Sequence, residues 1–134
     1  MNHTTNYDLN QWEADDRVTR EDFNADNAAI DAAISGCAKF AFGSYTGTGT
    51  YGEDHPNRLS CDFTPKAMML TGVGGPNMQQ TKVIVIKPNI YGYTEGNYHI
   101  KITWEDDGVS WYSSNSEQQQ MNTINYPFQY VLLG

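Results

Sequence analysis

Residues 98–113 run Tyr98-His99-Ile100-Lys101-Ile102-Thr103-Trp104-Glu105-Asp106-Asp107-Gly108-Val109-Ser110-Trp111-Tyr112-Ser113. The first seven alternate. Ile100 and Ile102 share a face with Tyr98 and Trp104, while His99, Lys101 and Thr103 take the other, as a half-buried strand requires. Glu105-Asp106-Asp107-Gly108 is a hairpin turn of the Asp-Gly type, and Val109–Ser113 is the returning strand.

Working outward, five more strands bring the total to seven. Lys39–Thr46 alternates loosely through Phe40, Phe42 and Tyr45. Leu59–Phe63 is short, and Lys66–Thr71 follows Pro65. Lys82–Lys87 (KVIVIK) is β-branched and bounded by charge and Pro88, the pattern of a buried strand. Tyr126–Leu133 closes the chain. Short strands, tight turns and no second helix predict a mainly β protein, an antiparallel β-sandwich or jelly-roll-like domain over residues 37–134.

Residues 1–36 differ in kind. The first 35 residues contain no glycine, and the remainder holds all 12. Residues 1–36 carry eight acids against Arg17 and Arg20, a net of −6, out of −8 for the chain. Thr19-Arg20-Glu21-Asp22 resembles a capping box with a short Asp at its third helical position, and Ser35-Gly36 supplies a stop. Asp15 and Asp16 precede this helix, where its dipole favours acids.

The helix carries a stripe spaced 4–3–4–3. Phe23 and Ile30 stand at d, and Asn27 and Ile34 at a. Cys37 and Ala41 extend it. Two packings satisfy this stripe: a coiled-coil-like seam between copies, or a helix laid on its own domain. An isolated helix of this length is marginal in water, so it needs one or the other. The arm before it, Asn6–Trp12, has too few apolar residues for a core. Tyr7, Leu9 and Trp12 can lodge in grooves of another protein or fold back on the helix.

Composition excludes several functions. A net charge of −8 with eight scattered Lys and Arg leaves no basic stripe for nucleic acid. No apolar run approaches the roughly 18 residues of a membrane helix, so no membrane insertion is expected. Met1–Asn10 lacks the pattern of a secretory signal, which predicts the cytosol as first compartment. Cys37 and Cys61 read as two small buried apolar side chains. Gly47, Gly49 and Gly52 match G-x-G-x-x-G, yet Glu53-Asp54-His55-Pro56 follows where a phosphate-binding helix should start. A β-hairpin loop is expected there instead. His3, His55 and His99 lack metal-ligand spacing, although a three-fold axis could gather three copies of one of them. No nucleophile, paired carboxylates or cofactor motif survives. No catalytic residue, metal or cofactor is expected, and the protein is not expected to be an enzyme.

Contact surface remains. Asn89–Tyr98 sets three tyrosines among Gly, Asn and Thr, and Ser110–Asn115 repeats the composition with Trp111 and Tyr112 among Ser and Asn. Binding loops use this mixture, because Tyr and Trp give rigid area while Ser, Gly and Asn give adaptable hydrogen bonds. Tyr91, Tyr93, Asn97, Trp111, Tyr112 and Asn115 are the candidate receptor contacts, with a sugar as a suitable ligand. The competing assignment makes Trp104 and Trp111 core residues.

The segments Asn6–Trp12, Asp16-Arg17-Val18, Arg20–Asp26 and Ile30–Ile34 resemble the N-terminal segment of tail-fibre and receptor-binding proteins from phages and prophages of Gram-positive, gut-type bacteria. Phe42–Gly49, Phe63–Leu70 and Tyr126–Gly134 are similar to their tip domains. This chain lacks the long shaft between the two parts. The resemblance implies a virion protein assembled in the host cytoplasm: a short homotrimeric fibre, joined by its N-terminus to other tail or baseplate proteins. Its distal β-domain would bind a host cell-surface polysaccharide. The alternative is a purely structural baseplate or tail-tip component without receptor binding.

Overall fold

The computed structural model describes residues 1–73, 80–94 and 98–134. It is mainly β, with antiparallel sheets and one α-helix among the described residues. Two compact units divide it, Met1–Ala38 and Lys39–Gly134.

In the first unit, β1 (Asn2–His3) pairs with β2 (Asn10–Gln11), and α1 follows over Arg20–Ser35. Thr19 caps α1: its Oγ1 accepts from the Asp22 N–H at 3.2 Å and donates to Asp22 Oδ2 at 2.6 Å. Thr19→Ala is expected to cost about 1 kcal/mol of local helix stability, read as faster amide exchange at Asp22 and Phe23. Of the two placements open to the arm, it folds back on the helix in the single chain. Asn10 donates to Asp26 Oδ1 from its backbone N–H at 3.0 Å and from Nδ2 at 3.1 Å. That contact half-buries Asp22, Asp26, Ala29 and Ala33, and leaves Phe23, Asn27, Ile30 and Ile34 exposed in the single chain. Asp16 serves a local turn rather than the helix dipole. Its Oδ2 accepts from the Glu13 N–H at 2.9 Å, which holds its carboxyl below the usual range.

The second unit has two four-stranded antiparallel sheets. The first orders β3 (Phe40–Thr46), β10 (Pro127–Leu133), β5 (Ala67–Val73) and β6 (Gln80–Ile86). The second orders β4 (Asn57–Ser60), β9 (Gly108–Tyr112), β8 (His99–Glu105) and β7 (Tyr91–Tyr93). One core joins their inner faces. Met68, Leu70, Val83, Val85, Phe128 and Leu132 come from the first sheet, and Leu59, Ile100, Ile102, Val109 and Trp111 from the second. Fully burying such a side chain is worth about 1.5–3 kcal/mol before entropy is charged against it.

Several expectations need correction. KVIVIK is buried on one face only: Val83 and Val85 point into the core, Ile84 and Ile86 outward. The loop after β3 is not a hairpin, since it crosses from one sheet to the other. The β8–β9 turn is Asp106-Asp107, with Gly108 already paired to Glu105. Glycine is needed at 108 for a close approach, because a Cβ there would lie 2.3 Å from the Leu59 carbonyl oxygen. Cys37 is exposed and Cys61 only half-buried. Each thiol donates to a nearby carbonyl, Cys37 to Ala33 and Cys61 to Phe63.

Candidate functional site

The parity of the second sheet builds its outer face. Ile100 and Ile102 are drawn into the core, so His99, Lys101 and Thr103 must face outward. On β9 the core takes Val109 and Trp111, which turns Ser110 and Tyr112 out. Cross-strand register then aligns Tyr91, Lys101 and Tyr112 in one row over three strands. Side chains in such a row stand about 4.5–5.5 Å apart at Cβ.

This row floors a cleft of about 320 Å³, walled by His99, Ser114 and Asn115. His99 meets the Tyr91 ring edge-on, with centroids 5.1 Å apart at 87°, and the Tyr93 ring lies 6.3 Å away. Edge-to-face packing of this kind fixes ring orientation and is worth about 0.5–1.5 kcal/mol. Among the described residues no carboxylate forms an ion pair with Lys101. The cleft therefore offers two tyrosine rings, the Lys101 ammonium and small hydroxyl and amide groups.

Gly92 lets this edge of the sheet exist. It faces inward between Tyr91 and Tyr93, and a Cβ there would lie 2.7 Å from both Val83 Cγ1 and Val85 Cγ2. Gly92→Ala is expected to push β7 off the core at a cost of about 1–3 kcal/mol. Urea denaturation reads the cost. A parallel loss of cleft binding reads the displacement of Tyr91.

Of the residues expected to contact a receptor, Tyr91, Tyr112 and Asn115 line the cleft, and Tyr93 shares its face. Asn97 lies outside the described residues. Trp111 is not a contact residue. It is 1% exposed, and its Nε1 donates to the Gln120 carbonyl at 2.8 Å within the core. His99, Lys101 and Ser114 were missed as cleft residues. The alternation that turns His99 and Lys101 away from Ile100 was the signal for them.

A second hollow, about 250 Å³, lies where the loop after β3 crosses between sheets. Its polar atoms already serve the fold. Asn122 Nδ2 donates to Thr48 Oγ1 and the Thr50 carbonyl, both at 2.8 Å, and the Tyr45 hydroxyl donates to the Met121 carbonyl at 2.6 Å. Burial pushes the Tyr45 phenol far up, so the proton for that bond stays in place. At the hairpin end of the second sheet, Arg58 donates to Glu105 and Asp107, each at 2.8 Å, and to Ser60. The Arg58 hydrogen bond, with help from Ser110, holds the Glu105 carboxyl below its usual range. The stability this pairing adds is complete above the ordinary carboxylate range and is lost as pH falls through the lowered value. Both acids thus pair with one guanidinium. Among the described residues no three His, Cys, Asp or Glu side chains gather as a metal site.

In the first unit, Tyr7 and Leu9 line an apolar groove of about 190 Å³ with Ile30, Ala33, Ile34 and Cys37. Trp12 is half-buried and does not line it. No helix is long and apolar enough to cross a membrane among the described residues. Comparison with protein-family models, curated proteins and solved structures finds no match.

Proposed function

We propose that this chain is a short phage or prophage tail fibre whose distal domain, a β-sandwich, binds an anionic host-wall polysaccharide without cleaving it. The observation that carries this reading is the outer-face row Tyr91–Lys101–Tyr112 with Ser114 and Asn115 beside it. Sugar rings stack on aromatic faces while their hydroxyls seek amides and hydroxyls. A lysine that pairs with no carboxylate among the described residues, on a chain of net charge −8, selects a phosphate- or uronate-bearing chain over a neutral one.

The N-terminal residues supply the rest of the reading. Tyr7, Leu9 and Trp12 attach the fibre to a baseplate or tail-tip protein, and Phe23, Asn27, Ile30 and Ile34 form a trimeric coiled-coil seam. Their support is the segment resemblance and the exposure of the stripe in the single chain. Assembly takes place in the host cytoplasm and the product resides in the virion.

The test is a panel of purified cell-wall polysaccharides from Gram-positive gut bacteria, titrated into the full chain by calorimetry. Saturable binding to phosphate- or uronate-bearing members, weakened by salt, is the expected result. Absence of binding across the panel overturns the receptor role and leaves a structural tail-tip component. Release of reducing ends during incubation would contradict a non-enzymatic role.

A further inference from the structure

The row Tyr91–Lys101–Tyr112 crosses three strands, and its spacing sets what can lie along it. Neighbouring strands stand about 4.8 Å apart, so the two tyrosine positions are separated by roughly 9–10 Å, with the lysine midway. A pyranose unit advances a sugar chain by about 5 Å at bond lengths near 1.5 Å. One sugar unit therefore matches one strand, and three consecutive units span the row. Such a chain runs across the strands, its first, second and third units meeting Tyr91, Lys101 and Tyr112 in turn.

The flanks fit a polymer laid in this direction. His99 and Ser114 wall the cleft on one side of the row. On the other side the next row of the same face is Thr103 with Ser110, whose small side chains leave room for sugar substituents. That row continues to Arg58 on β4. The Arg58 guanidinium is held by Glu105 and Asp107, each at 2.8 Å. Those three charges are tied to one another, whereas Lys101 pairs with no carboxylate among the described residues.

Charge in the row therefore sits at its centre, and both ends are uncharged aromatic side chains. A neutral sugar can stack on an aromatic ring, but an acid over the ring meets a π-system whose face is negative. An acid opposite Lys101 instead gains a charge-assisted hydrogen bond. The order neutral, acidic, neutral matches the row; the order acidic, neutral, acidic does not. A carboxylate carried on the middle sugar keeps the step of one unit per strand. A phosphodiester placed between sugars adds atoms to the link and breaks that step.

We infer that the cleft reads three consecutive sugar units, with a uronate in the middle and a neutral sugar at each end. The inference deepens the receptor reading above and rests on it. The test titrates two trisaccharides into the full chain and follows its amide chemical shifts. N-acetylglucosamine–glucuronate–N-acetylglucosamine carries one carboxylate, at its centre. Its inverse, glucuronate–N-acetylglucosamine–glucuronate, carries two, at its ends. Simple attraction to a lysine favours the inverse, and register along the row favours the first. The first is expected to bind about tenfold more tightly, the worth of one charge-assisted hydrogen bond made rather than missed. It should also move the amides of Tyr91, Lys101 and Tyr112 together. Lys101→Gln, at an exposed position, should erase the preference while its thermal melt stays that of the parent. Equal binding, tighter binding of the inverse, a preference that survives Lys101→Gln, or no binding of either trisaccharide overturns the inference. The polysaccharide panel separates this failure from failure of the receptor reading. If phosphate-bearing wall polymers bind while neither trisaccharide does, the receptor role stands and the uronate order falls.

Discussion

Tyr112→Ala is expected to weaken polysaccharide binding about thirtyfold, corresponding to roughly 2 kcal/mol, the threshold of a binding hot spot. The folded state should barely notice. Tyr112 points away from the core, and its strand is anchored by its neighbours Val109 and Trp111, which are 0% and 1% exposed. Removing the ring takes away one end of the cleft floor and leaves the Lys101–Tyr112 backbone pairing intact. Lys101→Gln is the companion variant. It keeps the length of the side chain and removes the charge, so the salt dependence of binding should flatten more than the affinity at high salt falls. Calorimetry on the parent and both variants, with thermal melts as the control for folding, checks both outcomes. A Tyr112→Ala protein that binds like the parent would place the receptor contact elsewhere.

The same residues show how far the sequence could be read. Alternation in 98–104 was legible because each strand there is buried on one face, which writes the fold's parity into the chain. The same parity, carried from Val109, puts Trp111 inside and Tyr112 outside. Composition alone gives Ser-Trp-Tyr-Ser the look of a binding loop. KVIVIK misled for the opposite reason: apolar residues on both faces normally mean burial on both faces, and here Ile84 and Ile86 stay exposed in the single chain. The two-residue strands of the arm and three-residue β7 are too short to carry a period. β7 also depends on Gly92 meeting Val83 and Val85, a contact between distant segments. Ser114 and Lys101 become neighbours only through pairing, which no local pattern records.

Gln120 was invisible for a related reason, and its replacement should give the largest loss of stability. Three glutamines in succession, Gln118-Gln119-Gln120, look like a solvated loop, and nothing local distinguishes the third. In the fold it is fully buried. Its Oε1 accepts from the Gly52 and Ser113 N–H groups, both at 2.9 Å. Its Nε2 donates to the His55 carbonyl at 2.7 Å and to Asn57 Oδ1 at 2.9 Å. One amide thus ties the loop after β3, the start of β4 and the end of β9. Gln120→Ala removes four bonds and strands at least the buried Ser113 N–H, at about 1–3 kcal/mol for each buried group left unpaired. A total near 3 kcal/mol is expected, which lowers the melting temperature by roughly 12–24 °C in a domain of this size. Gln120→Met separates volume from polarity. It fills the site but cannot satisfy its partners, so it should be destabilised almost as much. A Met variant as stable as the parent would mean that filling space, not hydrogen bonding, is what this position supplies. Ser113 precedes Ser114 and Asn115 in the cleft wall. Loss of the amide should therefore loosen that wall and weaken polysaccharide binding below the melting temperature, coupling the buried network to the outer face.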